Sequence, residues 1–200
     1  MPSYRSATSG GRGTVGLAMT QEPESTVRID DSPADRITAA VARFGEPAVA
    51  ERAASLLMGG NEGDEFLLYV GGRHAQGVLD GAPPLYWPEV WGARALTFVW
   101  DDSATSAVRR GLGDQAWRVR EMCARVCFIR KLGEADALAA LLADDVARVR
   151  AAAARALAEV GDESIVPALT LLLQDPEKEV RRAAHDAMVR LARRTAGSPS

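Results

Sequence analysis

Cysteine and histidine are nearly missing from this chain. Two of each occur in 200 residues: Cys123 and Cys127, His74 and His185. So few cysteines make no disulfide framework. Two histidines do not assemble the usual three or four metal ligands, so no metal site and no cofactor are assigned. Apolar runs long enough to span a membrane, about 18 residues, do not occur. The first 30 residues hold no apolar core of the signal-peptide kind, so a cytoplasmic location is expected. No Walker-type phosphate loop is found, Gly71-Gly72-Arg73-His74 being too short for one. No catalytic residues are assigned.

A strong overall charge is lacking too. The net charge is −3, but it is unevenly spread. Residues 1–103 carry 8 Lys/Arg against 14 Asp/Glu, and residues 104–200 carry 16 against 13. Hydrophobic residues make up 47% and charged residues 26%, as in an ordinary globular chain. Richness in Ala, Arg and Gly has the look of a GC-rich bacterial genome.

Residues 1–31 are rich in Ser, Gly, Thr and Glu and show no apolar period, so they are expected to be a disordered leader. Met19 is a second candidate translation start. Order is expected from Ser32, where Ser32-Pro33-Ala34-Asp35 has the form of a helix start. Ile37, Val41 and Phe44 then recur at helical spacing, and Gly45 ends that helix. A second helix from Pro47 carries Val49, Ala53, Leu56 and Leu57 to Gly59-Gly60. A hairpin and an irregular junction thus fill 32–72; the short apolar run Asp64–Val70 fits a helix or a strand, with the helix favoured by its helical surroundings.

From about 73 to 194 the chain repeats itself. Leu112-Gly113-Asp114, Val119-Arg120, Cys123 and Cys127 align with Leu142-Ala143-Asp144, Val149-Arg150, Ala153 and Leu157. Both align with Leu173-Gln174-Asp175, Val180-Arg181, Ala184 and Met188, at offsets of 30 and 31 residues. Gly92-Ala93-Arg94-Ala95-Leu96 matches Ala153–Leu157 as a degenerate earlier copy, with Pro88 at the helix start. Each unit reads as helix, turn, helix. The Asp falls where the second helix begins, and its carboxylate can accept N–H groups there. The Val, the small residue four later and the aliphatic residue eight later line one face. One hairpin cannot bury that face alone; stacked neighbours can. In this register Cys123 and Cys127 are core residues.

This pattern resembles the HEAT family, in particular the short bacterial repeats also found in phycobilisome bilin lyases. The resemblance implies an all-α fold, an α-solenoid of stacked antiparallel helical hairpins with a curved binding surface. It also implies a structural ladder in which Asp114/Arg120, Asp144/Arg150 and Asp175/Arg181 link successive repeats. Some HEAT-repeat enzymes bind metal through His-Glu pairs, but neither histidine here precedes a Glu. A fold carries no activity by itself.

Two features point to binding. Second helices carry a run of arginines that a phosphate backbone could follow, although Arg120, Arg150 and Arg181 belong to the ladder. Nine of the eleven aromatics lie between 66 and 128. Either Tyr86, Trp87, Trp91 and Trp117, with Arg73, His74, Arg118 and Arg148, form a binding surface, since Trp, Tyr and Arg dominate interface hot spots, or the aromatics fill the core where the degenerate repeat meets the regular ones. The expected function is a protein–protein scaffold whose partner is another protein, without membrane contact. Nucleic acid along the arginines is the first alternative, and a lyase-like role on a chromophore or modified protein the second. The tail 195–200 is expected to be disordered.

Overall fold

A computed structural model describes residues 27–196. Eleven α-helices and three short 3-10 turns make up the regular structure of these residues, which contain no strand. No helix among them is long and apolar enough to cross a membrane.

Local chemistry starts the array as read. Ser32 Oγ accepts the Asp35 N–H at 3.2 Å, and Pro33 opens α1 (Pro33–Phe44). Gly45 leads into α2 (Glu46–Leu57), and α3 (Asp64–Gly71) is the short helix expected in the junction. The C-terminal end of α3 is held by two arginines. Arg36 Nε donates to Tyr69 O at 3.0 Å, and Arg94 Nη2 donates to Val70 O at 2.5 Å. Cations at the carbonyl end of a helix oppose its negative dipole end. Burial lowers the pKa of both guanidiniums. Gly72 lies against this centre with φ +60, and a Cβ there would meet the Arg36 guanidinium carbon at 2.5 Å.

The leader boundary expected at 31 falls inside a packed turn. Residues 1–26 lie outside the described residues, but Ile29 O accepts the Arg73 N–H at 3.2 Å and also a bond from Arg36 Nη1. Asp30 pairs with Arg73. Residues 27–31 have no apolar period, so periodicity did not reveal them; backbone carbonyls hold them in place.

After α4 (Arg73–Leu79) and α5 (Trp87–Ala95) come three regular hairpins. They are α6 (Thr105–Gly111) with α7 (Trp117–Arg130), α8 (Ala135–Ala140) with α9 (Ala147–Val160), and α10 (Val166–Leu172) with α11 (Lys178–Ala196). Helices α2, α5, α7, α9 and α11 pack side by side in that order. Val119, Val149 and Val180 are fully buried at the same register position, each contributing about 1.5–3 kcal/mol by leaving water. Cys123 and Cys127 are buried with them. The α2–α5 crossing is close: a Cβ on Gly92 would meet Ala53 O at 2.5 Å and Leu57 N at 2.8 Å. Helix α11 runs through Thr195 to Ala196, past the end expected at 194; residues 197–200 lie outside the described residues.

Two ladder rungs lock successive hairpins. Arg120 Nε and Nη2 donate to Asp144 Oδ2 and Oδ1 at 2.7 and 3.0 Å. Arg150 does the same to Asp175 at 2.8 and 3.0 Å. The Nη1 of each arginine turns back to its own repeat: Arg120 to Asp114 O at 2.8 Å, Arg150 to Asp144 O at 2.7 Å, Arg181 to Asp175 O at 2.6 Å. Each Asp carboxylate accepts the N–H two residues on, at Ala116, Val146 and Glu177. That bond forms ahead of the first helical turn, one step earlier than the helix cap read from the sequence.

Candidate functional site

The starts of neighbouring second helices line up, and this builds the site. In the repeat register Trp87 corresponds to Arg118 and Arg148, the first-turn positions of α5, α7 and α9. Trp87 follows a turn in which Pro84 O accepts its N–H at 3.1 Å, and Pro88 fixes the first helical residues. Trp117 opens α7.

Arg118 is the centre of the cluster. Its Nη1 donates to Tyr86 Oη at 2.8 Å. Its guanidinium carbon lies 4.2 Å from the Trp117 ring centroid, 5.4 Å from Trp87 and 5.9 Å from Tyr86. Such contacts are worth about 0.5–2 kcal/mol each, the larger values applying where water is excluded. The Arg148 guanidinium carbon stands 5.7 Å from the Trp117 ring centroid and is tethered by Glu121, whose Oε1 accepts from its Nε and Nη2 at 3.1 and 2.9 Å. His74 completes the other flank, its ring 4.5 Å from Trp87.

Tyr86, Trp87, Trp117 and Arg118 are half-buried, while His74 and Arg148 are exposed. A guanidinium held this way has already lost much of its roughly 2 kcal/mol of rotamer entropy. A partner's acidic group meeting it therefore loses less in ordering. Among the described residues no carboxylate pairs with Arg118. Its neighbours Arg120, Arg148, Arg150, Arg155 and Arg190 each have one.

Two residues expected in this surface lie elsewhere. Trp91 stacks on Trp87 with centroids 6.4 Å apart, as their four-residue spacing requires, but it is buried. It packs on Gly71, where a Cβ would come within 2.7 Å of its ring, so it belongs to the core. Arg73 turns away toward Asp30 and the 27–31 segment. Glu121, which positions Arg148, was not read from the sequence. Its counterparts in the repeats are Ala151 and Arg182, so no periodic signal marked it.

The ladder groups are tuned for pairing. The hydrogen bond from Arg150 holds the Asp175 carboxyl below its ordinary range. For Asp144, burial pulls upward but is outweighed by the Arg120 bond and the Val146 N–H, and the net shift is down. The same bonds raise Arg120 and Arg150. Burial pushes the Cys127 thiol up to about 12 and Cys123 well above its usual value, leaving no thiolate for nucleophilic chemistry. Among the described residues no three His, Cys, Asp or Glu side chains gather as metal ligands.

No curated protein matches the chain. Residues 135–199, which contain the last two hairpins, match the family described as HEAT repeats. The all-helical stack of hairpins is an α-solenoid, and its last two hairpins are similar to HEAT repeats.

Proposed function

We propose that the chain is a protein-interaction scaffold that holds its partner on the surface formed by Tyr86, Trp87, Trp117, Arg118 and Arg148. One observation carries this reading: a guanidinium is fixed among three aromatic rings, half-exposed, with no carboxylate partner among the described residues. Aromatic faces supply rigid apolar area, and an ordered arginine supplies a directed charge, as in interface hot spots. HEAT repeats serve widely as protein-binding scaffolds. The arginines that a nucleic-acid reading needs are largely taken by carboxylates, which weighs against phosphate tracking. The lyase-type kinship is a likeness of repeat units only, and the proposal does not rest on it.

The test is affinity capture from native lysate, at low and high salt, with the wild type and with Arg118→Ala and Trp87→Ala. The expected result is a defined protein held at high salt by the wild type. Arg118→Ala should lose it by roughly 30-fold in affinity, with the helical circular dichroism unchanged. Nucleic acid bound at low salt, shed at high salt and indifferent to both substitutions would overturn the proposal.

A further inference from the structure

The outward face of α11 differs from the same face one repeat earlier. Helix α9 has a helix on either side, and it buries Ala151, Ala154 and Ala158. At the corresponding places α11 carries Arg182, His185 and Val189, all exposed. Small side chains let helices approach closely; arginine and histidine there hold a neighbour off and would lose water if a helix covered them. This face is therefore not built to receive another repeat of the same kind.

It is built as a charged strip. Positions 178, 181, 182, 185, 189 and 193 follow three- and four-residue spacing and so share one side of the helix, over roughly 22 Å. They bear Lys178, Arg181, Arg182, His185, Val189 and Arg193, with the carboxylates of Asp186 and Glu179 beside them, Glu179 being paired with Arg155. Arg182 approaches Asp186 only to 3.8 Å, with both side chains mostly exposed. Arg181 is held ready. Its Nη1 is pinned by Asp175 O and Pro176 O at 2.6 and 2.8 Å, as in the two rungs before it. The edge that Arg120 and Arg150 use on the next carboxylate finds no acceptor among the described residues. Alongside runs an open cleft of about 510 Å³ between α10 and α11, lined by Val166, Pro167, Met188, Leu191 and Ala192 together with Glu163 and Thr195.

We propose that this strip and the adjoining cleft bind an acidic amphipathic segment of a partner protein, carboxylates on the arginines and apolar side chains in the cleft. A second copy of α11 would set like charges against each other. Residues 1–26 balance Arg5 and Arg12 against Glu22 and Glu24, so they offer no acidic excess. The apolar cleft favours a peptide over a phosphate backbone. The proposal is independent of the aromatic surface.

The test uses fluorescence anisotropy with a labelled 16-residue helical peptide, glutamates on one face and leucines on the other. The full chain should bind it, and the triple variant Lys178→Glu, Arg182→Glu, Arg193→Glu should bind at least about tenfold more weakly. These three side chains are exposed and hold no ladder bond, so circular dichroism should be unchanged. Val189→Asp should also weaken binding. Arg118→Ala should leave it intact, which separates this result from failure at the aromatic surface. Equal binding by the wild type and the triple variant would overturn the proposal. So would preference for the peptide with lysines in place of glutamates, or binding of a 20-nucleotide RNA or of phosphatidylserine vesicles with the acidic peptide left free.

Discussion

Replacing Arg150 by methionine keeps an apolar stem of similar length and removes the guanidinium from the middle of the ladder. Four hydrogen bonds go with it: two to Asp175 at 2.8 and 3.0 Å, one to Asp144 O at 2.7 Å and one to Asp145 O at 3.2 Å. The Asp175 carboxylate, only 5% exposed as a side chain, keeps the Glu177 N–H but loses its bidentate cation. Breaking one side of a buried pair costs about 3–5 kcal/mol. The remaining N–H and the nearby Arg181 soften the loss, so about 3 kcal/mol is expected. Asp175→Asn retains an acceptor for Glu177 and should cost about 2 kcal/mol. If the two groups act as a unit, the double variant falls short of the sum by about 2 kcal/mol. Against a total stability of about 5–15 kcal/mol this is measurable by urea titration. All four tryptophans, at 87, 91, 100 and 117, precede α8. Fluorescence therefore follows the front of the stack while circular dichroism follows every helix. In Arg150→Met the dichroism should begin to fall at lower urea than the fluorescence, because stability in a repeat array is a sum of neighbour terms. A coupling below about 0.5 kcal/mol together with coincident transitions would refute the reasoning and reduce the rung to an ordinary surface pair.

Acid should act through the same carboxylates. Asp144 and Asp175 have folded pKa values below their unfolded value of about 3.9, so the stability they add is complete above that value and is lost as pH falls through the lower folded values. Unfolding midpoints should be insensitive to these groups from pH 7 to about 5 and drop below about 4, and Asp144→Asn with Asp175→Asn should flatten the drop. Both buried thiols should resist a disulfide reagent at pH 8 and react once urea unfolds the chain; rapid reaction of the native protein would contradict their core placement. Gly92→Ala should destabilise by about 1–3 kcal/mol, since its Cβ meets backbone of α2 that cannot step aside. Helix propensity alone favours alanine by about 1 kcal/mol, so a stabilised variant in thermal melts would refute the close α2–α5 crossing.

The repeat was legible because it is written twice in each unit. Asp and Arg six residues apart, with valine before the arginine, mark both the turn and the buried face, and a 30- to 31-residue offset carries them along the chain. The geometry then follows from elementary needs. A guanidinium with five N–H donors spans two carboxylate oxygens of the next repeat and two carbonyls of its own, so one residue type at one spacing serves both turn and junction. Front-end packing has no such redundancy. Arg36 and Arg94 hold the end of α3 through Tyr69 and Val70 carbonyls, and carbonyls leave no trace in residue identity. For the same reason the turn at 27–31, fastened by Ile29 and Asp31 carbonyls, escaped a reading based on apolar period.

At the candidate surface, spacing placed Trp87 and Trp91 on one side of α5 but could not tell them apart in depth. What separates them is the neighbour. Gly71 leaves a space that the Trp91 ring fills, whereas Trp87 meets the exposed ring of His74 and the Arg118 guanidinium. Helical period reports direction around an axis; only the partner element decides whether that direction ends in core or in water. Arg118 and Arg148 illustrate the converse. They occupy equivalent positions and have the same chemistry, yet Glu121 neutralises Arg148, and among the described residues no carboxylate pairs with Arg118. A repeat makes positions equivalent, and the loss of that equivalence at one position is where specificity enters. By that logic Arg118 among its rings, with no carboxylate partner among the described residues, and the basic face of α11 are two places where this stack departs from its own rule.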